Sequence, residues 1–195
     1  MAPDHLAVVT YALVMAMTPG PTTVVLALSG ATFGFRRTLP HAAGAVAGYA
    51  VQVALAGLGL GLLLARVPGL AAVLQWACAL YLLELGRRML VRSARASAAA
   101  ARPLPLVTAA VVQLANPKSW IMATTSAALL AVDGAPASIL ALLAWAVVPT
   151  APCMAAWAWF GAGVQRRLAT PLAQRTFRAS MALLLVGTAV LSVAR

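Results

Sequence analysis

Six long apolar segments occupy most of this chain, at Leu6–Ser29, Pro40–Leu64, Leu70–Leu90, Leu104–Ala131, Ser138–Gly163 and Phe177–Val193. Each is near or above the ~20 residues that an α-helix needs to cross ~30 Å of hydrocarbon. The acids of the whole chain are Asp4, Glu84 and Asp133, and 63% of its 195 residues are hydrophobic. A water-facing surface cannot be built from so few charges, so lipid is the solvent for most of the chain. The expected fold class is all-α: a polytopic membrane protein of six transmembrane helices.

The net charge of +11 invites a nucleic-acid reading, which its distribution rejects. The arginines cluster at 36 and 37, at 87, 88, 92, 95 and 102, and at 166, 167, 175 and 178. These are the first, third and fifth connections between apolar segments, whereas Arg66 stands alone in the second and Asp133 lies in the fourth. Basic connections that alternate in this way are cytoplasmic by the positive-inside rule, which leaves both termini on the outer side of a bacterial inner membrane. The start of the chain lacks a basic n-region and reads as a retained first helix rather than a signal peptide.

A weak duplication relates the halves. Laying Met17-Thr18-Pro19-Gly20 over Ala115-Asn116-Pro117-Lys118 puts both motifs thirteen residues after the start of their segment, counted from Leu6 and from Leu104. A shift of 101, against 98 for the motifs, lays Gly86 over Gly187. Three spans per half make the second half enter from the opposite side, the inverted-repeat plan of many secondary transporters. The chain is then a single transmembrane domain with repeat one over 1–92, a linker over 93–103 and repeat two over 104–195.

Proline inside a helix removes a hydrogen bond and clashes with the preceding turn. Thr18-Pro19-Gly20-Pro21 and Asn116-Pro117-Lys118 therefore mark helix breaks, and in lipid such breaks survive only where protein or a wet cavity satisfies the backbone. Thr18 and Asn116 are expected as N-caps, with Pro19 and Pro117 as first helical residues. Each break would then present a helix N-terminus, suited to a carboxylate, deep in the membrane. Lys118 needs an anion there or a route to the headgroups. The bland alternative is a pair of simple proline kinks.

At these residues the chain resembles the lysine-exporter (LysE/RhtB) family of amino-acid exporters. The resemblance rests on Thr18-Pro19-Gly20-Pro21, Phe33-Gly34-Phe35-Arg36-Arg37, Ala79-Leu80-Tyr81-Leu82-Leu83 before Leu85-Gly86, and Asn116-Pro117-Lys118. It implies export of amino acids or close analogues driven by the proton motive force, with a homodimer as one option. It also implies a substrate path past Thr18, Pro19, Gly20, Pro21, Asn116, Pro117 and Lys118. The chain departs from the family pattern at Thr22 and Thr23, where Asn is usual, and at Glu84, where an aromatic is usual. Ser119, Thr124, Thr125 and Ser126 replace a run rich in Phe and Leu.

Glu84 is an acid inside a span and a candidate for proton coupling, although Arg87 and Arg88 at i+3 and i+4 offer it an ion pair. Gln52 and Gln113 are candidates to line a path or to bond across helices. His41 is expected as a wetted interfacial residue, the five tryptophans as anchors or core residues, and the glycines at 44, 48, 57, 59 and 61 as sites of close helix approach. Pro149 and Pro152 are expected to kink or break the fifth span. The partners implied are a small zwitterionic substrate and the lipid bilayer, with no nucleic acid, cofactor, metal or catalytic set. Competing readings are a metal-ion exporter, a thiol–disulfide electron carrier using Cys78 and Cys153, and a non-transporting scaffold.

Overall fold

A computed structural model describes residues 4–60, 103–168 and 170–193, together with 66, 69, 72, 73, 76, 77, 79–81, 83, 84 and 87. The elements are α1 (His5–Met17), α2 (Pro21–Phe33), α3 (Phe35–Gly57), α4 (Leu106–Leu114) and α5 (Pro117–Leu129). They continue with α6 (Pro136–Leu142), a π-helical turn (Leu143–Val147), α7 (Thr150–Arg167) and α8 (Pro171–Val193). The described residues from Leu60 to Arg87 are also helical, and no strand occurs among the described residues.

The protein is all-helical in these residues and carries more than one membrane-length apolar helix, as a polytopic membrane protein does. Helix α3 and the stretch Pro136–Val164 are each long and apolar enough to cross a bilayer, and α1 with α2, bent by 52° at their junction, form a third span if taken together. Large apolar side chains point outward, with Leu6, Val107, Leu140, Val148 and Trp159 all more than half exposed. Hydrocarbon, not water, suits such a surface. Of the remaining expected spans, the fourth is divided into α4 and α5, and the sixth reaches back to Pro171, taking in Gln174 and Arg175. Most of the third span lies outside the described residues, as do Cys78, Gly86, Arg88 and linker residues 93–102.

Helix α2 is the centre of the bundle. Its residues from Val24 to Gly30 are all buried and, Ser29 apart, carry no polar side chain, as suits an enclosed helix. Against it lies α7, backbone to backbone: a Cβ on Gly30 would stand 2.0 Å from the Ala158 carbonyl oxygen, and one on Gly161 would stand 1.8 Å from that of Ala27. Helices α3 and α4 make a second seam of this kind, where a Cβ on Gly44 would lie 2.2 Å from the Leu106 oxygen and one on Gly48 would lie 2.6 Å from that of Ala110. Small residues at such seams let backbones approach and replace the hydrophobic driving force that lipid cannot supply. Gly44 and Gly48 thus serve as expected. Gly59 does not: it has φ 83° with nothing within 4 Å, and it turns the chain after α3 instead. Gly61 lies outside the described residues.

Single residues set the joints. Gly34, at φ 83°, closes α2 and opens α3 in one step. In the fifth span the irregularity falls at the π-helical turn and at Val148–Pro149, whereas Pro152 sits in the first turn of α7, where a missing N–H is tolerated. Before α6, the Asp133 carboxylate accepts bonds from the Ser138 hydroxyl and the Ala135 N–H, which together hold it below the usual carboxylate range.

The α2–α7 seam yields a direct prediction. Gly161→Ala or Gly30→Ala should lower the thermal stability of the purified protein in detergent by an overpacking penalty of about 1–3 kcal/mol. Gly163→Ala, with nothing within 4 Å of its added Cβ, should leave the melting curve in place. Equal melting of all three variants would contradict the seam.

Candidate functional site

The two helix breaks lie against each other. Helix α1 stops at Met17, and Thr18 is extended, with its N–H and its hydroxyl both returning to the Val14 oxygen at 3.0 and 2.7 Å. Helix α2 starts at Pro21 with Gly20 as its cap, not at Pro19 with Thr18 as its cap. The expected register is corrected by a steric rule: the Pro21 ring disfavours a helical Gly20, which takes φ −165° and ψ −179°, so no helix passes back through it to Pro19. Thr23 closes this end, its hydroxyl accepting from the Gly20 N–H at 2.9 Å and donating to the Gly20 oxygen at 3.1 Å. In the second half, Asn116 caps α5 and Pro117 takes the first helical position as expected, with Asn116 Oδ1 accepting from the Lys118 N–H at 3.1 Å. The caps therefore align Pro21, rather than Pro19, with Pro117.

Every broken helix releases carbonyls, and here side chains, most of them from neighbouring helices, meet backbone oxygens at the breaks. Trp120 Nε1 donates to the Leu114 oxygen at 2.8 Å, and Gln52 Nε2 reaches the same oxygen at 3.4 Å. Ser119 Oγ donates to the Asn116 oxygen at 2.8 Å. At the other break, Trp157 Nε1 donates to the Ala16 oxygen at 3.1 Å. Trp120 and Trp157 are therefore not plain anchors: each supplies an indole donor on an apolar body, which suits a buried carbonyl. Lys118 Nζ donates to the Thr18 oxygen at 2.8 Å, at the negative end of α1. The half-buried ammonium thus has a protein partner before any substrate arrives, a third option beside a substrate anion and the headgroups.

One further contact joins the breaks directly. The Thr22 hydroxyl donates to Gln113 Oε1 and accepts from Asn116 Nδ2, the latter at 2.9 Å. Two small cavities flank this bridge, each of about 20 Å³ and sharing Pro21, Thr22, Gln113 and Asn116 in their walls. The first adds Met15, Gly20, Tyr49 and Lys118; the second adds Val25, His41, Ala45 and Val112. Each has room for about one water.

The structure thus gathers the expected residues unevenly. Gly20, Pro21, Asn116 and Lys118 line the first cavity, and Thr18 joins through its carbonyl. Pro19 and Pro117 line neither cavity and act by shaping the breaks. Gln113 forms one end of the bridge, with Thr22 between it and Asn116, while Gln52 is fully buried, with its Oε1 unbonded. Glu84 lies outside both cavities, and its carboxylate holds Arg87 through bonds of 2.7 and 2.9 Å. His41 is not at a wetted entrance: it is 4% exposed and faces the second cavity. Sequence reasoning gave no site role to Thr22, Ser119, Trp120 and Trp157; for the first three a signal was available, a hydrogen-bonding side chain within three residues of Pro21 or Pro117, whereas Trp157 meets its break only through the packing of α7 on α1.

Trp157→Phe keeps the ring and its edge contact with Phe160 but strands the Ala16 carbonyl. We expect it to lower unfolding stability in nanodiscs by about 1 kcal/mol, measured by thermal or chemical unfolding. An unchanged stability would show that the carbonyl needs no donor.

The sequence profile of the LysE type translocator family matches residues 13–194, a range that contains both breaks. The cysteine/O-acetylserine efflux proteins of Escherichia coli K12 and Shigella flexneri are each 30% identical to this chain over 170 residues, which is 87% of this chain and 83% of theirs. The protein of that name from Escherichia coli O139:H28 is 29% identical over the same length. No solved structure matches the chain. A match of this extent, carried through two proline breaks that touch, makes the chain a member of the LysE-type translocator family.

Proposed function

We propose that this chain exports a small zwitterionic amino acid or a close analogue across the bacterial inner membrane, driven by the proton motive force. The efflux of cysteine and O-acetylserine named for its relatives makes those two the first substrates to test. The reading includes six spans in two inverted repeats, 1–92 and 104–195, with both termini periplasmic. The observation that carries it is the meeting of two helix N-termini and the Lys118 ammonium around one cavity.

The chemistry follows from that meeting. The first-turn amides of α2 and α5 have no intrahelical acceptors, and both helix dipoles point their positive ends at the same place. A carboxylate there would also draw Lys118 away from the Thr18 oxygen, exchanging a neutral acceptor for a charged one and strengthening the bond. An amino acid is far larger than a water-sized cavity, so the conformation described is a closed one. The Thr22–Gln113–Asn116 bridge must part for substrate to pass, and a bridge of neutral hydrogen bonds is weak enough to do so. Alternating access then amounts to one repeat rocking against the other around the bridge.

Efflux from preloaded proteoliposomes, screened over an amino-acid panel that includes cysteine and O-acetylserine, tests the reading. Lys118→Ala should reduce efflux about tenfold or more, by loss of a charge-assisted contact, while membrane insertion stays intact. Lys118→Arg should retain part of the activity. Wild-type efflux from Lys118→Ala would remove Lys118 from the site, and no efflux of any amino acid by the native chain would remove the function.

A further inference from the structure

The second cavity holds a group that substrate binding at Lys118 does not use. His41 lies on the face of α3 that carries Gly44 and Gly48, at i, i+3 and i+7, and the close α3–α4 seam at those glycines presses its ring into the bundle. It is 4% exposed, its Nδ1 has no hydrogen-bond partner, and it lines the cavity beside Thr22, Gln113 and Asn116. Buried polar atoms are bonded as a rule, and an unbonded one calls for a reason. A histidine ring nitrogen can both take up and release a proton.

The other charged groups do not compete for this role. Asp4 and Asp133 are exposed and engaged in capping, and Glu84 is partly exposed and paired with Arg87. On the elements packed around His41, Arg36 and Arg37 are exposed in the first turn of α3, Arg166 and Arg167 are exposed in the last turn of α7, and Lys118 lines the other cavity. None of these lines the His41 cavity, whose walls from α2, α4 and the Asn116 cap carry no charge.

We infer that His41 is the proton-carrying group of this exporter. This rests on the export reading above. Neutral His41 takes a proton at Nδ1 from the outer side and releases it to the inner side, while one zwitterion leaves in the opposite direction. Because the zwitterion has no net charge, each cycle moves one positive charge inward, and both the pH gradient and the membrane potential drive export. Protonation also turns Nδ1 from an acceptor into a donor. The oxygen acceptors on its cavity wall are those of Thr22, Gln113 and Asn116, the side chains that form the bridge. A proton on His41 and a substrate carboxylate at Lys118 are then alternative ways of opening one bridge, which is the logic of exchange.

The test uses the full chain in proteoliposomes, wild type and His41→Gln, with a substrate identified by the efflux panel. Two readouts are taken: counterflow of labelled against unlabelled substrate without a gradient, and uphill transport with proton flux under an imposed pH gradient. In His41→Gln, counterflow should persist, whereas uphill transport and substrate-linked proton flux should fall about tenfold or more, a typical size for a lost coupling. Uphill transport at the wild-type level in this variant overturns the proposal. So does loss of counterflow together with uphill transport in a variant that elutes as folded protein, since His41 would then hold structure or substrate rather than protons. Wild-type counterflow without any proton movement under the imposed gradient also overturns it, together with the proton-driven part of the export reading, and leaves amino-acid export itself standing. No wild-type counterflow with any amino acid sinks the export reading itself.

Discussion

A carbonyl released from a helix inside an apolar surrounding must find a donor, and the centre of this protein is organised around that requirement. Prolines at 19, 21 and 117 open two helices and free several backbone groups. Lys118 and Trp157 answer at the first break; Trp120, Gln52 and Ser119 answer at the second. Most of these donors cross from one helix to another, so each break is stable only in the presence of the rest of the bundle. The same dependence explains why polar residues are gathered here while the outer surface is Leu, Val and Trp.

Glycine seams make the meeting possible. Backbone contact at Gly30 and Gly161 fixes α2 on α7, and Gly44 with Gly48 fixes α3 on α4, leaving Thr22 and Gln113 within bonding reach. The seams are dense, with backbone against backbone at each glycine. Between them the Thr22–Gln113–Asn116 bridge is polar and is flanked by water-sized voids. A tight frame around a looser polar joint is a physical basis for two alternative states, because packed interfaces switch between arrangements rather than deform smoothly.

Lys118 illustrates how one residue serves two ends. Its ammonium sits on the Thr18 carbonyl, at the negative end of α1, and its stem lies against Gly20, where a Cβ would come within 2.9 Å of Lys118 Cδ. Any larger residue at 20 would push the lysine out of this position. Glycine at 20 and lysine at 118 therefore belong together, one from each half of the chain.

The membrane class, the helical content and the two breaks were determined by the sequence alone, since hydropathy, residue count and proline chemistry act locally and need no partner. Asn116 and Pro117 were legible for the same reason, whereas the first break restarts two residues beyond Thr18 and Pro19 because the Pro21 ring keeps Gly20 out of the helix. Tertiary structure alone decided what each polar side chain faces. Trp120 and Trp157 read as anchors until a freed carbonyl stood opposite them, and His41 read as interfacial until the α3–α4 seam enclosed it. Gly30 and Gly161, 131 positions apart, could be paired only by the approach of α2 to α7. Burial and hydrogen-bond partnership are properties of neighbours distant in the chain, and those neighbours exist only once the helices have packed.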